Sequence, residues 1–446
     1  MTTNDSNRTL DLSPTADQPL DKMTIPTAHK TNRVILPDGT LFSMDGIKTR
    51  LNNNMIVLAT SGGGKTRSVI IPNLLAGVGS YVVSDPKGNL YRNYSPHLKR
   101  LGYRIVHLDL IRPGGSSHYN PLAYVRTSDD IMKFANQLVY SDHPGKNCDP
   151  FWDKATELLL SALLGYLIEQ RTDSGKDVTL EEMTRLTRRI DASEMYDCGR
   201  CDFDTDMEEH NRRWQNEHDT ESWAYSQWQK FKTTPTKTMD TIMVTLQVLF
   251  NKYDTLEMRE LLRTDEMSLD TIGNEPTAVF VEISDTDRSK DIIANLFYSQ
   301  AMNCLCNYAD SLPDSRLPVP VRFLLDDFGT NARIVGFENM ISNIRSRGIS
   351  ATIVIQSVAQ LDAGYQQSAQ TIMDNCDTFI YMGGRDKSTV QLISQICGKP
   401  FKRIMEMPLG KHWRLQRGSP AVYCDTFDLS RYDLSFLSGR KKEIAG

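Results

Sequence analysis

The chain has 446 residues and a formal net charge of −5 at pH 7, with 39% hydrophobic and 24% charged residues. This composition is ordinary for a globular protein, and the length suits two or three domains. The net negative charge excludes an overall basic field, so contact with nucleic acid would need a local basic surface or a ring channel.

Residues 1–30 are polar, with Pro and Ser, and we expect them to form a flexible lead. No apolar core follows their few charges, so they do not predict a signal peptide. The longest apolar stretch, residues 158–168, is about half the length that spans a bilayer and predicts a core helix. The eight scattered cysteines favour a reducing cytosol over a disulfide framework.

The order of predicted elements indicates an α/β fold with a helical interruption. Residues 33–43 predict two short strands across a Pro-Asp-Gly turn, and strands then alternate with helices as in a parallel sheet. Helices without a convincing strand follow, and four further strand candidates resume the alternation. We therefore predict a nucleotide-binding domain at residues 31–148 and 264–446, and an all-α insert at residues 149–263.

Residues 55–72 carry the strongest functional pattern. An apolar run, Met55–Leu58, predicts a buried strand, and a helix can start at Thr66. The residues between fit a phosphate-binding loop in which Ala59 replaces the first Gly; the loop residues are Thr60, Ser61, Gly62, Gly63, Gly64, Lys65 and Thr66. Lys65 would reach the β- and γ-phosphates, and the Thr66 hydroxyl would bind Mg²⁺. A Gly-rich turn with a chance Lys is the competing interpretation.

A phosphate loop needs an acidic partner, and residues 321–327 supply one. The apolar strand Val321–Leu325 delivers two carboxylates to its carboxyl end, where ligands bind in open α/β sheets. We expect Asp326 to hold Mg²⁺ through water and Asp327 to polarise the attacking water. The alternative is a strand that ends in a solvated acidic turn.

Two further polar positions flank the strand predicted at residues 351–355. Gln356 follows it and can contact the γ-phosphate or the attacking water, or it is simply a polar residue at a strand end. Arg345 and Arg347 precede it, and either is a candidate arginine finger for a neighbouring subunit's nucleotide. The simpler interpretation of both is a solvated helix end.

Six ordered segments together resemble TraG-type type IV secretion coupling proteins, the ring ATPases of bacterial conjugation. The resemblance covers about residues 45–400, nearly the whole chain. Its segments are residues 69–75 (VIIPNLL), 84–88 (SDPKG), 119–122 (YNPL), 325–328 (LDDF), Gln356 with 359–361 (AQL), and 375–378 (NCDT).

This resemblance implies a RecA-like P-loop nucleotide-binding domain with an inserted all-α domain. It further implies a homo-hexameric ring that uses ATP and Mg²⁺ to handle single-stranded DNA and protein substrates at the secretion channel. The all-α domain would contact a relaxase or another secreted protein. In the family an Arg before an Arg-x-x-Gly step acts in trans, and Arg345 matches that position.

Two departures from the family pattern leave alternatives open. Family members usually begin with transmembrane helices, which this chain lacks, so we expect a cytoplasmic protein that a separate membrane component recruits to the inner face of the membrane. The family also usually has Glu where this chain has Asp327, which is one methylene shorter. Slow hydrolysis, or a nucleotide-gated docking adaptor with little hydrolysis, remains open. A small-molecule phosphotransferase is disfavoured by the long gap between Lys65 and Asp326.

The insert carries three weaker signals. Residues 194–209 hold seven carboxylates, which indicate a solvated loop or a docking surface for a basic protein. Cysteines and histidines nearby suggest zinc, although their spacing misses the usual finger templates; they are Cys198, Cys201, His210 and His218. The aromatic residues are predicted to be helix core rather than a base-stacking platform; they are Trp214, Trp223, Tyr225 and Trp228.

Overall fold

The computed structural model describes residues 32–141, 150–174, 177–190, 199–284, 286–329 and 333–429. The predicted flexible lead at residues 1–30 lies outside these ranges. No helix within them combines the length and the apolarity that crossing a membrane requires.

The first part of the chain follows the predicted alternation. Its elements are β1 (Arg33–Ile35), β2 (Leu41–Ser43), α1 (Gly46–Thr49), β3 (Met55–Leu58), α2 (Ile71–Ala76), β4 (Ser80–Ser84), α3 (Asn89–Arg100), β5 (Arg104–Asp109) and α4 (Ser128–Ser141). The predicted strands at 55–58 and 80–84 are confirmed, and β1 pairs with β2 in a separate antiparallel ribbon. β3 and β4 are buried along their whole length because both faces of the main sheet are covered.

The predicted insert is helical. Its described elements are α5 (Pro150–Ser174), α6 (Leu180–Thr187), α7 (Asp202–His218), α8 (Trp223–Lys232), α9 (Thr236–Asn251) and α10 (Leu256–Leu261). Strands are absent from the described residues between 150 and 261. The domain boundaries at 149 and 263 remain predictions.

The second part returns to the sheet. Its elements are β6 (Thr277–Glu282), α11 (Asp291–Ser311), β7 (Val321–Leu325), α12 (Phe337–Asn343), β8 (Ile349–Ile355), α13 (Val358–Tyr365), α14 (Ser368–Asp374), β9 (Thr378–Tyr381), α15 (Lys387–Cys397), α16 (Phe401–Met405), β10 (Lys411–Gln416) and β11 (Val422–Asp425).

One nine-stranded sheet joins both parts, in the order β11-β10-β9-β3-β8-β7-β4-β6-β5. The strands from β9 to β5 are parallel, whereas β10 and β11 form an antiparallel hairpin on the β9 edge. The predicted parallel sheet is therefore confirmed from β9 to β5, and the hairpin, which was not predicted, makes the whole sheet mixed. An edge hairpin needs no continuous apolar run, so the sequence pattern gave no strand there.

The helical insert packs into the same core as one face of the sheet. A single hydrophobic cluster runs from sheet residues such as Leu325 and Ile353 to Leu160 on α5 and Trp228 on α8. The other sheet face packs against α2 and α3 through a second cluster that includes Leu74 and Leu98. The insert thus shares its hydrophobic core with the strands that end at the phosphate loop.

Buried Asn73 attaches the β1–β2 ribbon to α2. Its Nδ2 donates to the carbonyl oxygens of Ile35 (2.8 Å) and Val69 (2.7 Å). Its Oδ1 accepts from Ile35 N (3.0 Å) and from the buried guanidinium of Arg322 (2.8 Å). Both donor and acceptor sites of this amide are therefore used, as a buried polar group requires.

Candidate nucleotide site

The predicted site residues converge because their strands are neighbours. Strand β8 lies between β3, which leads into the phosphate loop, and β7, which leads into Asp326. Leu58 is in register with Ile355, and Leu325 with Ile353. The carboxyl ends of the three parallel strands therefore meet at one edge of the sheet.

The phosphate loop turns through conformations that glycine permits. Gly62 and Gly64 have φ of 76° and 83°, in the left-handed region. Gly63 N donates to Thr60 O at 3.0 Å, and a Cβ on Gly63 would lie 3.0 Å from that oxygen. Such a Cβ would lie 3.2 Å from the Ala59 Cβ. A side chain at position 63 would therefore crowd the turn and the Ala59 methyl group, which favours glycine at position 63.

The helix after the loop begins with a π-helical turn, where the sequence predicted an ordinary helix start at Thr66. Residues Thr66–Ile70 form a π-helical turn, closed by Ile71 N donating to Thr66 O, before α2 begins. Pro72 is the second residue of α2, a position at which the missing N–H of proline is tolerated. One-turn π segments of this kind are frequent at functional sites.

Loop and acidic strand end are in direct contact. The Thr66 hydroxyl donates to Asp326 Oδ2 at 2.5 Å, and Lys65 Nζ lies 2.5 Å from Asp327 Oδ1. Asp326 is only 4% exposed, and this burial raises the pKa of its carboxyl group. A hydroxyl and a carboxylate side by side are oxygen ligands of the kind that Mg²⁺ prefers.

Asp327 has a strained backbone. Its φ is 53°, in the left-handed region that non-glycine residues enter rarely. On one side its own N–H donates to Asp326 Oδ1 (3.1 Å), and on the other Phe328 N donates to Val354 O (2.9 Å). These bonds hold the turn that directs the Asp327 carboxylate to Lys65.

Gln356 follows β8, at the same sheet edge as the phosphate loop. It is exposed, and its backbone N–H donates to Gln360 Oε1 at 2.9 Å. The Gln360 side chain also closes on Gly329, where an added Cβ would lie 2.5 Å from Gln360 Cδ. The segments after β7 and β8 are therefore locked together beside the loop.

The two arginines lie at the opposite edge. Both precede β8, and a seven-residue strand spans roughly 23 Å, so neither reaches the loop of its own chain. Arg347 forms a bidentate pair with Asp310, with both distances 2.8 Å. Exposed Arg345 donates to Gly46 O at 2.9 Å and lines a cavity of about 390 Å³.

A second polar cluster at the loop edge was missed from the sequence. Buried Glu282, at the end of β6, contacts Arg112 Nη2 at 2.7 Å and His107 Nε2 at 3.2 Å. Asp85, after β4, is buried too, and desolvation raises its pKa. Each acid ends or directly follows an apolar strand, so the rule that singled out Asp326 could have found them.

The zinc prediction in the insert gains no support. Cys198 lies outside the described residues. Cys201, His210 and His218 do not share a metal-sized cluster in the described part of the chain. His210 Nε2 is instead 2.6 Å from Glu169 Oε2, and burial raises the pKa of the Cys201 thiol to about 11.

The acidic segment is largely helix, which corrects the loop prediction. Glu194 and Asp197 lie outside the described residues, while α7 starts at Asp202. Asp204 accepts from Cys201 N at 2.9 Å, and acidic residues stabilise a helix start. Three of the five described carboxylates form ion pairs: Asp204 with Lys232 (2.7 Å), Asp206 with Arg189 (3.0 Å) and Glu208 with Arg200 (2.6 Å).

The aromatic residues of the insert are mainly core. Trp228 is fully buried and donates its Nε1–H to Asp204 at 2.9 Å. Trp223 and Tyr225 pack against the core from its margin. Trp214 is half-buried and stacks on His218 with the ring centres 3.9 Å apart. The prediction of helix core is confirmed for the first three.

Comparison with known proteins gives the family. The family model described as "Type IV secretory system Conjugative DNA transfer" matches residues 14–402. Protein VirD4 of Rhizobium rhizogenes is 24% identical over 366 residues, 77% of this chain and 49% of the relative. The conjugal transfer protein TraG of Rhizobium radiobacter is 22% identical over 362 residues, 77% and 52% of the two chains. The chain spans about half the length of these curated relatives.

Solved structures give the fold. The unbound monoclinic form of the bacterial conjugative coupling protein TrwBdeltaN70 matches with a TM-score of 0.64 and 15% identity, over 89% of each chain. The plasmid coupling protein TrwB in complex with ADP and Mg²⁺ matches with a TM-score of 0.63 and 15% identity, over 90% of each chain. The predicted fold, a RecA-like P-loop domain with an all-α domain, is confirmed.

Proposed function

The chain belongs to the type IV secretory system conjugative DNA transfer family, and on that premise we propose that it is a coupling ATPase. In this proposal it recruits single-stranded DNA and protein substrates to a type IV secretion channel and drives them with ATP. The observation that carries the proposal is the contact of the Lys65–Thr66 end of the phosphate loop with the Asp326–Asp327 strand end.

The donor set suits a magnesium nucleotide. The Thr66 hydroxyl and Asp326 carboxylate would hold Mg²⁺, the second through water, and the cation would offset charge on the phosphates. The backbone N–H groups of residues 60–66 would bind the phosphate oxygens. TrwB has been solved with ADP and Mg²⁺, which supports the same ligands here.

Lys65 is proposed to change partner when the nucleotide binds. Its ammonium is 2.5 Å from Asp327 in the described structure. On binding, Lys65 would turn to the β- and γ-phosphates and release the Asp327 carboxylate. Asp327 would then accept a proton from the attacking water, while Gln356 orients that water.

Arg345 is proposed to act in trans, in a homo-hexameric ring. Since it lies at the amino edge of the sheet, it would meet the nucleotide of an adjacent subunit. Arg50 and Arg316 line the same cavity and make it positive, as a phosphate-facing surface requires. Arg347 is excluded from this role by its bidentate pair with Asp310.

The partners follow the family. The proposed substrates are single-stranded DNA and a relaxase or another secreted protein bound through the helical insert. The proposed place of action is the cytoplasm, at the inner face of the membrane, with a separate membrane component of the channel as the docking partner. Three α7 carboxylates pair with basic residues outside the helix, and Asp202 and Glu209 are exposed acids of α7 proposed to meet a basic substrate.

Hydrolysis tests the proposal directly. We expect purified protein to hydrolyse ATP, to do so faster with single-stranded DNA, and to sediment as a hexamer with both ligands. Lys65→Ala should reduce turnover on the order of 10²-fold, because it removes a cation from the phosphates. A parent protein that binds no ATP, with Lys65→Ala behaving identically, would contradict the proposal.

Subunit mixing tests the role of Arg345. Lys65→Ala and Arg345→Ala should each have strongly reduced turnover alone. They should regain part of the activity when mixed, since one subunit supplies the loop and its neighbour the arginine. Arg347→Ala is the matched control and should retain activity. No recovery in mixed rings would show that Arg345 does not act across the interface.

The alternative is a nucleotide-gated docking adaptor with little hydrolysis, favoured by the short side chain of Asp327. Asp327→Glu distinguishes the two functions. A rise in turnover by orders of magnitude would support the adaptor, whereas robust turnover by the parent would exclude it.

A further inference from the structure

A second chemistry-bearing cluster lies at the hairpin edge, formed by Asp38, His412 and Cys424. Asp38 belongs to the β1–β2 turn, His412 to β10 and Cys424 to β11, and the last two are paired across the hairpin. One ligand atom from each lies within 4.8 Å of the others. The cluster includes none of the residues of the candidate nucleotide site.

His412 has a buried nitrogen without a partner. The residue is 0% exposed, and its Nδ1 is 3.2 Å from Thr426 Oγ1. Its Nε2 has no hydrogen-bond partner among the residues that the structure describes. A buried polar atom without a partner is energetically unfavourable, and a ligand at Nε2 would relieve that cost.

Cys424 and Asp38 already have the spacing of neighbouring metal ligands. The Cys424 thiol donates to Asp38 Oδ2 at 3.5 Å. Two ligands of a tetrahedral zinc lie roughly 3.5 Å apart, given metal–ligand bonds of about 2.0–2.3 Å. Asp38 is oriented by Thr40 N at 3.0 Å and by Arg414 Nη1 at 3.1 Å. Such outer contacts commonly hold a ligating carboxylate in place.

We propose that Asp38, His412 and Cys424 bind one divalent cation of the zinc class. On binding, the metal replaces the proton between Cys424 and Asp38, and that proton leaves to solvent. The thiolate and the carboxylate then balance the two positive charges, while the neutral His412 supplies Nε2. A water molecule completes a tetrahedral site with one sulfur, one nitrogen and two oxygens.

The site would connect distant parts of the chain. Asp38 and Cys424 are almost 400 positions apart in sequence, and the metal would tie the β1–β2 turn to the edge hairpin. Phe427 N already donates to Pro37 O at 2.6 Å beside the cluster. Metal binding to the folded state therefore stabilises this closure, and chelation lowers the melting temperature.

Cobalt substitution tests the site. Full-length protein, stripped with a chelator, is titrated with Co²⁺, and we expect one equivalent to give a thiolate-to-cobalt charge-transfer band that Zn²⁺ abolishes. Cys424→Ser should lose the band. Asp38→Asn, which preserves side-chain volume, should retain it with about tenfold weaker binding or worse.

The control is Cys397→Ser, which removes another half-buried free cysteine on α15. It should keep the full band, and Zn²⁺ should raise the melting temperature of this control and the parent but not of Cys424→Ser. Absence of the band in the parent, its persistence in Cys424→Ser, or unchanged affinity in Asp38→Asn would each overturn the proposal.

Discussion

At the scale of single residues, close backbone approaches decide which positions must be glycine. Gly79, with φ of 71°, sits where β4 meets the segment before β7, and an added Cβ would lie 2.4 Å from Pro320 O. Gly102 has φ of 87°, but no atom of the described residues comes within 4 Å of its added Cβ. The two glycines thus separate backbone strain from steric overlap.

We expect Gly79→Ala to destabilise the protein by about 3–4 kcal/mol, and Gly102→Ala by only about 1 kcal/mol. Both introduce left-handed strain of about 1–2 kcal/mol, but only the first forces the sheet backbone to move. Urea titration of the free energy of unfolding measures both. Equal losses would mean that the contact with Pro320 is not decisive.

At the scale of elements, a buried amide adds hydrogen bonds to the apolar contact between the β1–β2 ribbon and α2. The Asn73 side chain on α2 forms hydrogen bonds with both the backbone of Ile35 and the guanidinium of Arg322. Arg322 is buried, and desolvation lowers its pKa. The ring of Tyr81 lies 5.9 Å from that guanidinium and adds a favourable contact.

Asn73→Ala should therefore cost about 3–5 kcal/mol, because it leaves the Ile35 N–H and a buried guanidinium without their acceptor. Hydrogen exchange at the Ile35 amide should accelerate as well. The comparison is Asn343→Ala at an exposed helix end, which should change stability by less than about 0.5 kcal/mol. An unchanged exchange rate at Ile35 would refute the link.

At the scale of the whole molecule, the insert and the sheet share one hydrophobic cluster. The insert is therefore not held to the sheet by a separable interface of the usual polar kind. Tryptophan fluorescence can follow the unfolding of the insert, because four of the five tryptophans lie in the helical insert and Trp413 lies on the sheet hairpin. A shared core predicts that both parts unfold together.

In Trp413→Phe, tryptophan fluorescence reports the insert alone, whereas far-UV circular dichroism reports the whole chain. We expect the two urea transitions to coincide, because unfolding the insert exposes the sheet face beneath it. Two transitions with clearly separated midpoints would show instead that the insert unfolds independently.

The sequence by itself determined the local features: the glycine turn before Lys65, the strands that precede Asp326 and Gln356, and the helical character of the insert. Short-range sterics and burial patterns fix these, and both are readable from adjacent residues. The same patterns predicted neither β10 and β11, whose residues are not apolar runs, nor the π-helical turn after Lys65.

The tertiary structure alone decided which of these residues meet. Strand order brings Lys65 to Asp327 and carries Arg345 to the far edge of the sheet, and it gathers Asp38, His412 and Cys424 into one cluster. Such contacts join positions hundreds of residues apart, so no local preference encodes them. They arise when strands distant in sequence share one sheet or pack on a common core.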